Sequence, residues 1–488
     1  MTKKPDRTLL APGLEISRVV TGLWQVADME RDGRVLDRDA AADAMAAYAG
    51  DGFDSFDMAD HYGSAELITG RFLARAAQGF ERRPSAFTKW CPVPGPMSAS
   101  IVRAGIAERR ERLGVEAIDL LQLHWWTFAH PGYIDALREL VSLQQEGWIR
   151  HLGLTNFDTD HLRLLVRHGF PVVSNQVSFS LLDRRAAGRM SEFCLASGVR
   201  LLAYGTLGGG FLTDRWVGAP EPTAIADWSK SKYKRFIDTI GGWPALQIVL
   251  TALRAIADRH GVSVANVATR WVLDEPAVAA VIVGARLGER EHRADNAALF
   301  SFALDADDRA RIDAALAATR PIPGDCGDEY RRPPFLTASG DLSHHLESFP
   351  PVFAAVPVDG RPDRTRIDSG SVWEPICGYS RAVRIRDRIL VSGTTATHGA
   401  GEAICPGDAE GQAVYILDKI AASIASLGGS IADTVRTRVY LRSADDWEPV
   451  SRVHGRVFGD VRPANTLLEV SRLVGEYLVE IEAEAVVG

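Results

Sequence analysis

Four side chains with complementary acid and base character stand at or near the ends of short apolar runs. The stretch FDSFDMADHYG, residues 53 to 63, sets Asp57 five residues ahead of Tyr62, while Lys89 closes the run AFTKW and His124 the run IDLLQLHWW. Alternation through Phe53, Ser55 and Asp57 reads as a half-buried strand, and Gly63 supplies a turn that lifts Tyr62 out of it. Together the four can move a proton. A phenol beside an ammonium releases its proton more readily, because the cation stabilises the phenolate, at about 1.4 kcal/mol per pKa unit. A buried ammonium in turn needs a counter-ion, which a carboxylate provides, and an imidazole can orient a reacting oxygen. Taken singly, each residue also has a structural reading: Asp57 with Lys89 as an ion pair, His124 as a satisfied core histidine, Tyr62 as an exposed loop tyrosine.

The elements that must position these groups repeat with a regular alternation. Strands are expected at 16-22, 53-59, 86-90, 118-124, 149-155, 172-176, 199-204 and 279-284, each followed by a helix. In the helix 134-146, Ile134, Leu137, Leu140 and Val141 make one apolar stripe that must pack on a sheet. Eight such units predict a closed parallel (β/α)8 TIM barrel, with active residues at the C-terminal strand ends. Asp57, Lys89, His124, Asn156, Gln176 and Tyr204 all fall there. An open doubly wound sheet is the alternative, but it calls for a glycine-rich first turn, and no G-x-G-x-x-G follows the first strand.

The composition sets outer bounds. The 488 residues are 46% hydrophobic and 24% charged, with 55 Lys and Arg against 63 Asp and Glu, a net charge of −8. That balance argues against nucleic acid or an anionic membrane as partner and favours a small molecule. Five scattered cysteines without C-x-x-C spacing fit free thiols and no metal site. No signal-like leader and no run of eighteen apolar residues is found, so the expected location is the cytoplasm.

Residues 15 to about 318 resemble the aldo-keto reductases. The resemblance rests on GLW at 22-24, D-M-A-x-x-Y-G at 57-63, the strand-end Lys89, LLQLHW at 120-125, GLTNF at 153-157, SNQ at 174-176 and AYGTLGGG at 203-210. It implies a catalytic tetrad of Asp57, Tyr62, Lys89 and His124, and NAD(P)(H)-dependent interconversion of a small aldehyde, ketone or sugar and its alcohol. Hydride transfer lies beyond any side chain and requires such a cofactor. By the same resemblance, Thr155, Asn156 and Gln176 would hold the nicotinamide carboxamide and Tyr204 would stack on its ring. Gly22, Trp24, Asp57 and the loop with Gly205, Leu207 and Gly210 would complete the cofactor's bed. The family's 2′-phosphate pattern K-S-x4-R-x2-E-N reads here Arg286, Leu287, His292, Asp295, Asn296. Arg286 can take a phosphate and Asn296 the adenine, but the hydroxyl is gone and His292 replaces the second cation. The balance tips slightly to NADP(H), with NAD(H) the alternative. Trp24, Trp90, Trp125 and Trp126 cluster by the tetrad strands; Trp24, Trp90 and Trp125, with His124, are the expected substrate wall. The insertion from Leu212 to Trp243 is either a cover for the site or a solvated basic loop.

Residues 1-320 are thus expected to form the barrel and 321-372, rich in Pro, Gly and charge, a linker. That linker carries His344 and His345, which have no partner ligands near in sequence. From 373 to 488 a small α+β unit follows. GYSRAV at 378-383, ILVSGTT at 389-395, SLGGSIADTVRTRVYL at 426-441 and LVEIEAEAV at 478-486 make it similar to the Rid (reactive intermediate deaminase, YjgF) family. That implies a chorismate-mutase-like fold, a homotrimer with sites between subunits, and imine or enamine hydrolysis. Tyr379 and Glu480 match family site positions. Asn465 stands where deaminases place an arginine, and an amide cannot replace a bidentate cation. Deamination through this domain, or a cofactor-binding sensor with slow turnover, are the alternatives to the oxidoreductase.

Overall fold

The computed structural model describes residues 4–76, 79–80, 82–290, 292–337 and 350–488. The chain opens with an antiparallel hairpin of β1 (Arg7–Ala11) and β2 (Leu14–Ser17). Eight parallel strands then close a barrel: β3 (Val19–Gly22), β4 (Ser55–Asp57), β5 (Ser85–Trp90), β6 (Ile118–His124), β7 (Ile149–Thr155), β8 (Val172–Ser178), β9 (Arg200–Tyr204) and β10 (Val278–Gly284). β10 pairs with β3 and β9, so no barrel edge is left open. The hairpin closes the N-terminal end of the barrel. Its Leu10, Leu14 and Ile16 pack with the interior residues Val20, Phe87, Leu120, Leu202 and Ala280.

Strand alternation now fixes which side chains meet. Phe87 points inward, so Lys89 does too; Leu120 points inward, as therefore do Gln122 and His124; Leu202 places Tyr204 likewise. Residues of the opposite parity join the layer between strands and helices, where Trp90 and Trp125 lie among the main core residues.

The C-terminal part is a seven-stranded sheet in the order β11-β12-β13-β14-β19-β17-β18. Its strands are β11 (Val356–Val358), β12 (Arg361–Ile367), β13 (Ala382–Ile385), β14 (Arg388–Thr394), β17 (Thr434–Leu441), β18 (Ala464–Glu469) and β19 (Val479–Val486), and a small ladder of β15 (Thr397–His398) and β16 (Glu402–Ala403) stands beside it. Helix Ala409–Ser426 packs on the sheet through β14 and β19 and on helix Trp447–Phe458. Fifteen of its eighteen residues are buried. A helix covered all round needs a partner on both sides, and the second partner is the barrel. Helix Ala409–Ser426 packs along helix Thr159–Arg167, where the Tyr133 hydroxyl donates to Asp418 at 2.8 Å and His161 Nε2 lies 3.2 Å from the same carboxylate.

The expectation of a linker over 321-372 is corrected. β11 and β12 extend the C-terminal sheet, and residues Asp328–Arg331 form a short helix in which Asp328, Glu329 and Tyr330 are all buried. Prolines and glycines marked the irregular backbone, while the buried contacts come from tertiary packing that local composition does not register. His344 and His345 lie outside the described residues.

Candidate active site

All four tetrad candidates open onto one cavity of about 550 Å³ at the C-terminal mouth of the barrel. Lys89 Nζ sits 2.5 Å from Asp57 Oδ2 and 3.0 Å from the Met58 carbonyl, and both charged side chains are about 95% buried. The other carboxylate oxygen accepts amides from Gln122 at 3.0 Å and Gln176 at 2.7 Å, and Gln176 also donates to Gln122 at 2.9 Å. Asp57 is therefore satisfied on both oxygens, as a buried charge must be. Gln122 was not singled out from the sequence; its signal is its place two residues before His124, on the same inward face.

Lys89 Nζ lies 5.1 Å from the centre of the Tyr62 ring, which is wedged edge-on between Trp24 and His61, each with its centroid 4.9 Å away. His124 is buried under Trp126 and Tyr330, with ring centroids 4.1 and 5.3 Å away. Its Nδ1 is 3.3 Å from the Thr155 carbonyl and 3.5 Å from the Asn156 amide nitrogen, while its buried Nε2 has no hydrogen-bond partner among the described residues. Burial first, and then the nearby Arg331 guanidinium, hold the imidazole well below its ordinary pKa, so it is neutral at pH 7.

Every residue assigned to the cofactor, from Gly22 and Trp24 to His292 and Asn296, lines this same cavity. Asn156 holds a left-handed φ of 58°, with Tyr204 donating to its side-chain oxygen at 2.8 Å. Gly205 has φ 73°, and a Cβ there would run into the Tyr233 hydroxyl, so backbone closes the cavity where no side chain fits. Arg286 is not free at the far end: it bonds Asp28 at 2.7 Å and Asp227 at 2.6 Å.

The substrate wall differs from expectation. Trp24 and Trp126 line the cavity, but Trp90 and Trp125 do not. Trp90 abuts Gly105 of helix Ala99–Leu113, and Trp125 donates its indole to the His130 carbonyl at 2.8 Å within the outer core. Each follows an inward residue, Lys89 or His124, and so faces the other way. In their place the structure brings Lys232, from the insertion expected either to cover the site or to be a solvated basic loop, and Tyr330, which sequence reasoning missed. Lys232, on helix Trp228–Ile240 of the long insertion, donates to Tyr330 Oη at 2.8 Å. Tyr330 comes from the short helix in the supposed linker, and beside it Glu329 accepts from Tyr204 at 3.2 Å while paired with Arg185 at 2.8 Å. Burial, with Tyr330 and Glu329 close by, raises Tyr204 well above the usual phenol range and keeps it protonated.

Asp60, His61 and Cys91 bring three potential ligand atoms within 4.8 Å at the rim. Asp60 accepts from the Cys91 amide at 2.8 Å and lies 2.8 Å from His61 Nδ1.

In the C-terminal domain, just before β13, the centre of the Tyr379 ring stands 5.8 Å from the Arg381 guanidinium. Burial raises the Glu480 carboxyl, with Arg381 opposing. Asn465 is not gathered with them: it lies on β18, two strands from β19, and its amide donates to Thr437 at 2.9 Å.

Residues 18–317 match the family described as Aldo/keto reductase family, and residues 371–487 the one described as Endoribonuclease L-PSP. The chain is 30% identical over 223 residues to flagellar radial spoke protein 5 of Chlamydomonas reinhardtii, with 39% of this chain and 42% of that protein covered. It is 25% identical over 319 residues to the NADH-specific methylglyoxal reductase of Escherichia coli (strain K12), covering 60% of this chain and 93% of that one. Its C-terminal part is 33% identical over 112 residues to a RutC family protein of Pyrococcus abyssi, covering 23% of this chain and 88% of that one. The chain thus spans less than half the length of the first of these relatives and nearly all of the second and third. With an eight-stranded barrel whose mouth gathers Asp57, Tyr62, Lys89 and His124, and a family match over residues 18–317, this chain belongs to the aldo/keto reductase family, fused to a YjgF-type C-terminal domain.

Proposed function

We propose that the barrel is a nicotinamide-dependent oxidoreductase interconverting a small aldehyde, ketone or sugar and its alcohol. One observation carries this reading: a buried ammonium, Lys89, is held by Asp57 at 2.5 Å and lies 5.1 Å from the Tyr62 ring at the rim of the cavity. A dinucleotide fits what surrounds it, since the cavity wall at Gly205 and Gly210 is bare backbone and the buried His124 Nε2 has no hydrogen-bond partner among the described residues. When bound, the nicotinamide supplies or accepts the hydride. Tyr62 gives its proton to the substrate oxygen in reduction and takes it back in oxidation. Lys89 stabilises the phenolate left behind, and Asp57 keeps the ammonium paired between turnovers. His124 faces the carbonyl oxygen with Nε2 and fixes its approach; it donates there as the Nε2–H tautomer, in which Nδ1 accepts the Asn156 amide at 3.5 Å and does not donate to the Thr155 carbonyl at 3.3 Å. Trp24, Trp126 and Tyr330 form the wall against which a small substrate packs.

The choice between cofactors turns on Arg286. NADP(H), slightly favoured on sequence, needs this guanidinium for a phosphate, yet Asp28 and Asp227 already occupy it and would repel a further anion. NAD(H) leaves both pairs intact, and an NADH-specific relative is consistent with it. We therefore favour NAD(H).

The test is a panel of aldehydes, ketones and sugar alcohols assayed by nicotinamide absorbance with both cofactors. Tyr62→Phe should lower kcat by about 10²- to 10⁴-fold without weakening cofactor binding. A wild type inactive on the whole panel, or a Tyr62→Phe variant with unchanged kcat, overturns the reading.

A second reading, imine hydrolysis in a homotrimer through the C-terminal domain, draws on the raised Glu480 carboxyl near Tyr379 and Arg381. Ammonia release from imines without nicotinamide, lost in Tyr379→Phe, together with a trimer in sedimentation, would support it.

A further inference from the structure

The two domains meet at a guanidinium. Arg456, on helix Trp447–Phe458 of the C-terminal domain, reaches into the barrel's mouth with only 16% of its side chain exposed. It binds Asp328 through two nitrogens, both at 3.1 Å, Asp158 at 3.0 Å and Asp160 at 3.3 Å. Its own carbonyl accepts from Arg332 at 2.6 Å. The three carboxylates are buried, with side-chain exposures of 7%, 3% and 4%. They come from two different segments of the barrel unit, and those segments carry cavity walls.

Asp158 begins the helix after β7 and stands two residues beyond Asn156, whose side chain touches Tyr204 and His124. Asp328 opens the short helix that carries Glu329 and Tyr330. The two segments also touch directly. Arg331 bonds the Asn156 and Trp125 carbonyls, and Gly327, at φ 82°, lies so close to the Asn156 carbonyl that a Cβ would overlap it. A four-residue helix has little stability of its own and takes its place from tertiary contacts. A guanidinium that binds carboxylates on both segments holds one against the other, and charge-assisted forked contacts of this kind set geometry as well as energy.

We propose that Arg456 is a positioning residue for the barrel's substrate pocket: by clamping Asp328 to Asp158 it seats the short helix that holds Tyr330 over His124, so the C-terminal domain completes the site. The inference rests on the oxidoreductase reading for its kinetic consequence and on geometry alone for its structural one. It gives the fusion a physical role that requires no chemistry in the C-terminal domain.

The experiment uses the full chain. In Arg456→Met, KM for an accepted carbonyl should rise about ten- to hundredfold, while cofactor affinity, read by NADH fluorescence, stays within about twofold. Arg456→Lys should restore part of the loss. Combined with Tyr330→Ala, Arg456→Met should add less than about twofold further, because both act through the same ring. Hydrogen–deuterium exchange supplies a readout independent of turnover: amides of 325–337 should exchange faster in Arg456→Met. Unchanged exchange there, or an Arg456 effect that persists undiminished in Tyr330→Ala, overturns the proposal. If Arg456→Met does not fold, Asp328→Asn, which leaves Arg456 with Asp158 and Asp160, is read in the same way. A wild type that turns over nothing refutes the oxidoreductase reading instead, and the exchange measurement still decides the role of Arg456.

Discussion

Removing Lys89 offers the sharpest separation of structure from chemistry. Lys89→Met deletes the cation and leaves the Asp57 carboxylate 4% exposed, facing an apolar thioether. Breaking a buried pair on one side costs about 3 to 5 kcal/mol. Here the low end applies, because Gln122 and Gln176 still donate to Asp57 at 3.0 and 2.7 Å. A loss of about 3 kcal/mol corresponds to a fall of about 6 °C in the melting temperature for a unit of this size. Asp57→Asn should cost a similar amount by leaving the ammonium with the Met58 carbonyl and little else. In the double variant no charge remains, so stability should return to within about 1 kcal/mol of wild type. Turnover should not return, since nothing is left to stabilise the Tyr62 phenolate. The assays are a fluorescence-monitored thermal melt and the nicotinamide absorbance assay on the same four proteins. Recovery of turnover together with stability in the double variant would refute the role given to Lys89; single variants that cost under about 1 kcal/mol would refute the account of the buried pair.

Three further outcomes follow from the geometry. His161 is held up to about 9 because Asp158 and Asp418 outweigh the burial that opposes its charge. Its contribution, about 3 kcal/mol against an unfolded value near 6.5, is complete below about pH 6.5 and lost as pH rises through 9. Lys419, pushed down to about 7 by burial, acts with the opposite sign over the same range. The measured quantity is therefore the difference in urea midpoint between wild type and His161→Gln, which should shrink steadily from pH 6 to 10; a constant difference contradicts the assignment. Asp28→Asn should free Arg286 for a phosphate and move the NADP(H)-to-NAD(H) ratio of kcat/KM up by about tenfold; an unchanged ratio would mean that Arg286 does not sense the adenosine ribose. Trp125→Ala should cost about 3 to 5 kcal/mol in stability as a core truncation, whereas Trp126→Ala should chiefly raise substrate KM, and the reverse pattern would undo the parity argument.

The barrel was legible because its signal is local and repeated. Strands expected at 118-124 and 149-155 coincide with β6 and β7, and helix 134-146 with Tyr133–Gln145 to within a residue at each end, since short apolar runs alternate there with long amphipathic ones. The gathering of Asp57, Lys89, His124, Asn156, Gln176 and Tyr204 followed from the same regularity, each being at a strand's C-terminal end. What failed to show was non-local or too short to have a period. The helix Asp328–Arg331 is a single turn inside a stretch of prolines, and its value lies in partners more than a hundred residues away in sequence, Tyr204 and Asn156. The pairing of Arg286 with Asp28 and Asp227 spans 258 and 59 residues. The tryptophans are a different case. Counting in twos from Lys89 or His124 would have turned Trp90 and Trp125 outward before any coordinates, so that error lay in grouping by residue type where strand parity decides.

Helix Ala409–Ser426 carries a consequence for how such a chain can be divided. With fifteen of eighteen residues covered, it is shared between its own sheet and the barrel, and cutting the chain at 350 would strip one flank while leaving Asp418 and Tyr415 facing water beside newly bared aliphatic groups. A separately expressed C-terminal half would thus begin life with a sticky, half-dressed surface. Joining the halves in one polypeptide guarantees that each is always made with the cover it needs.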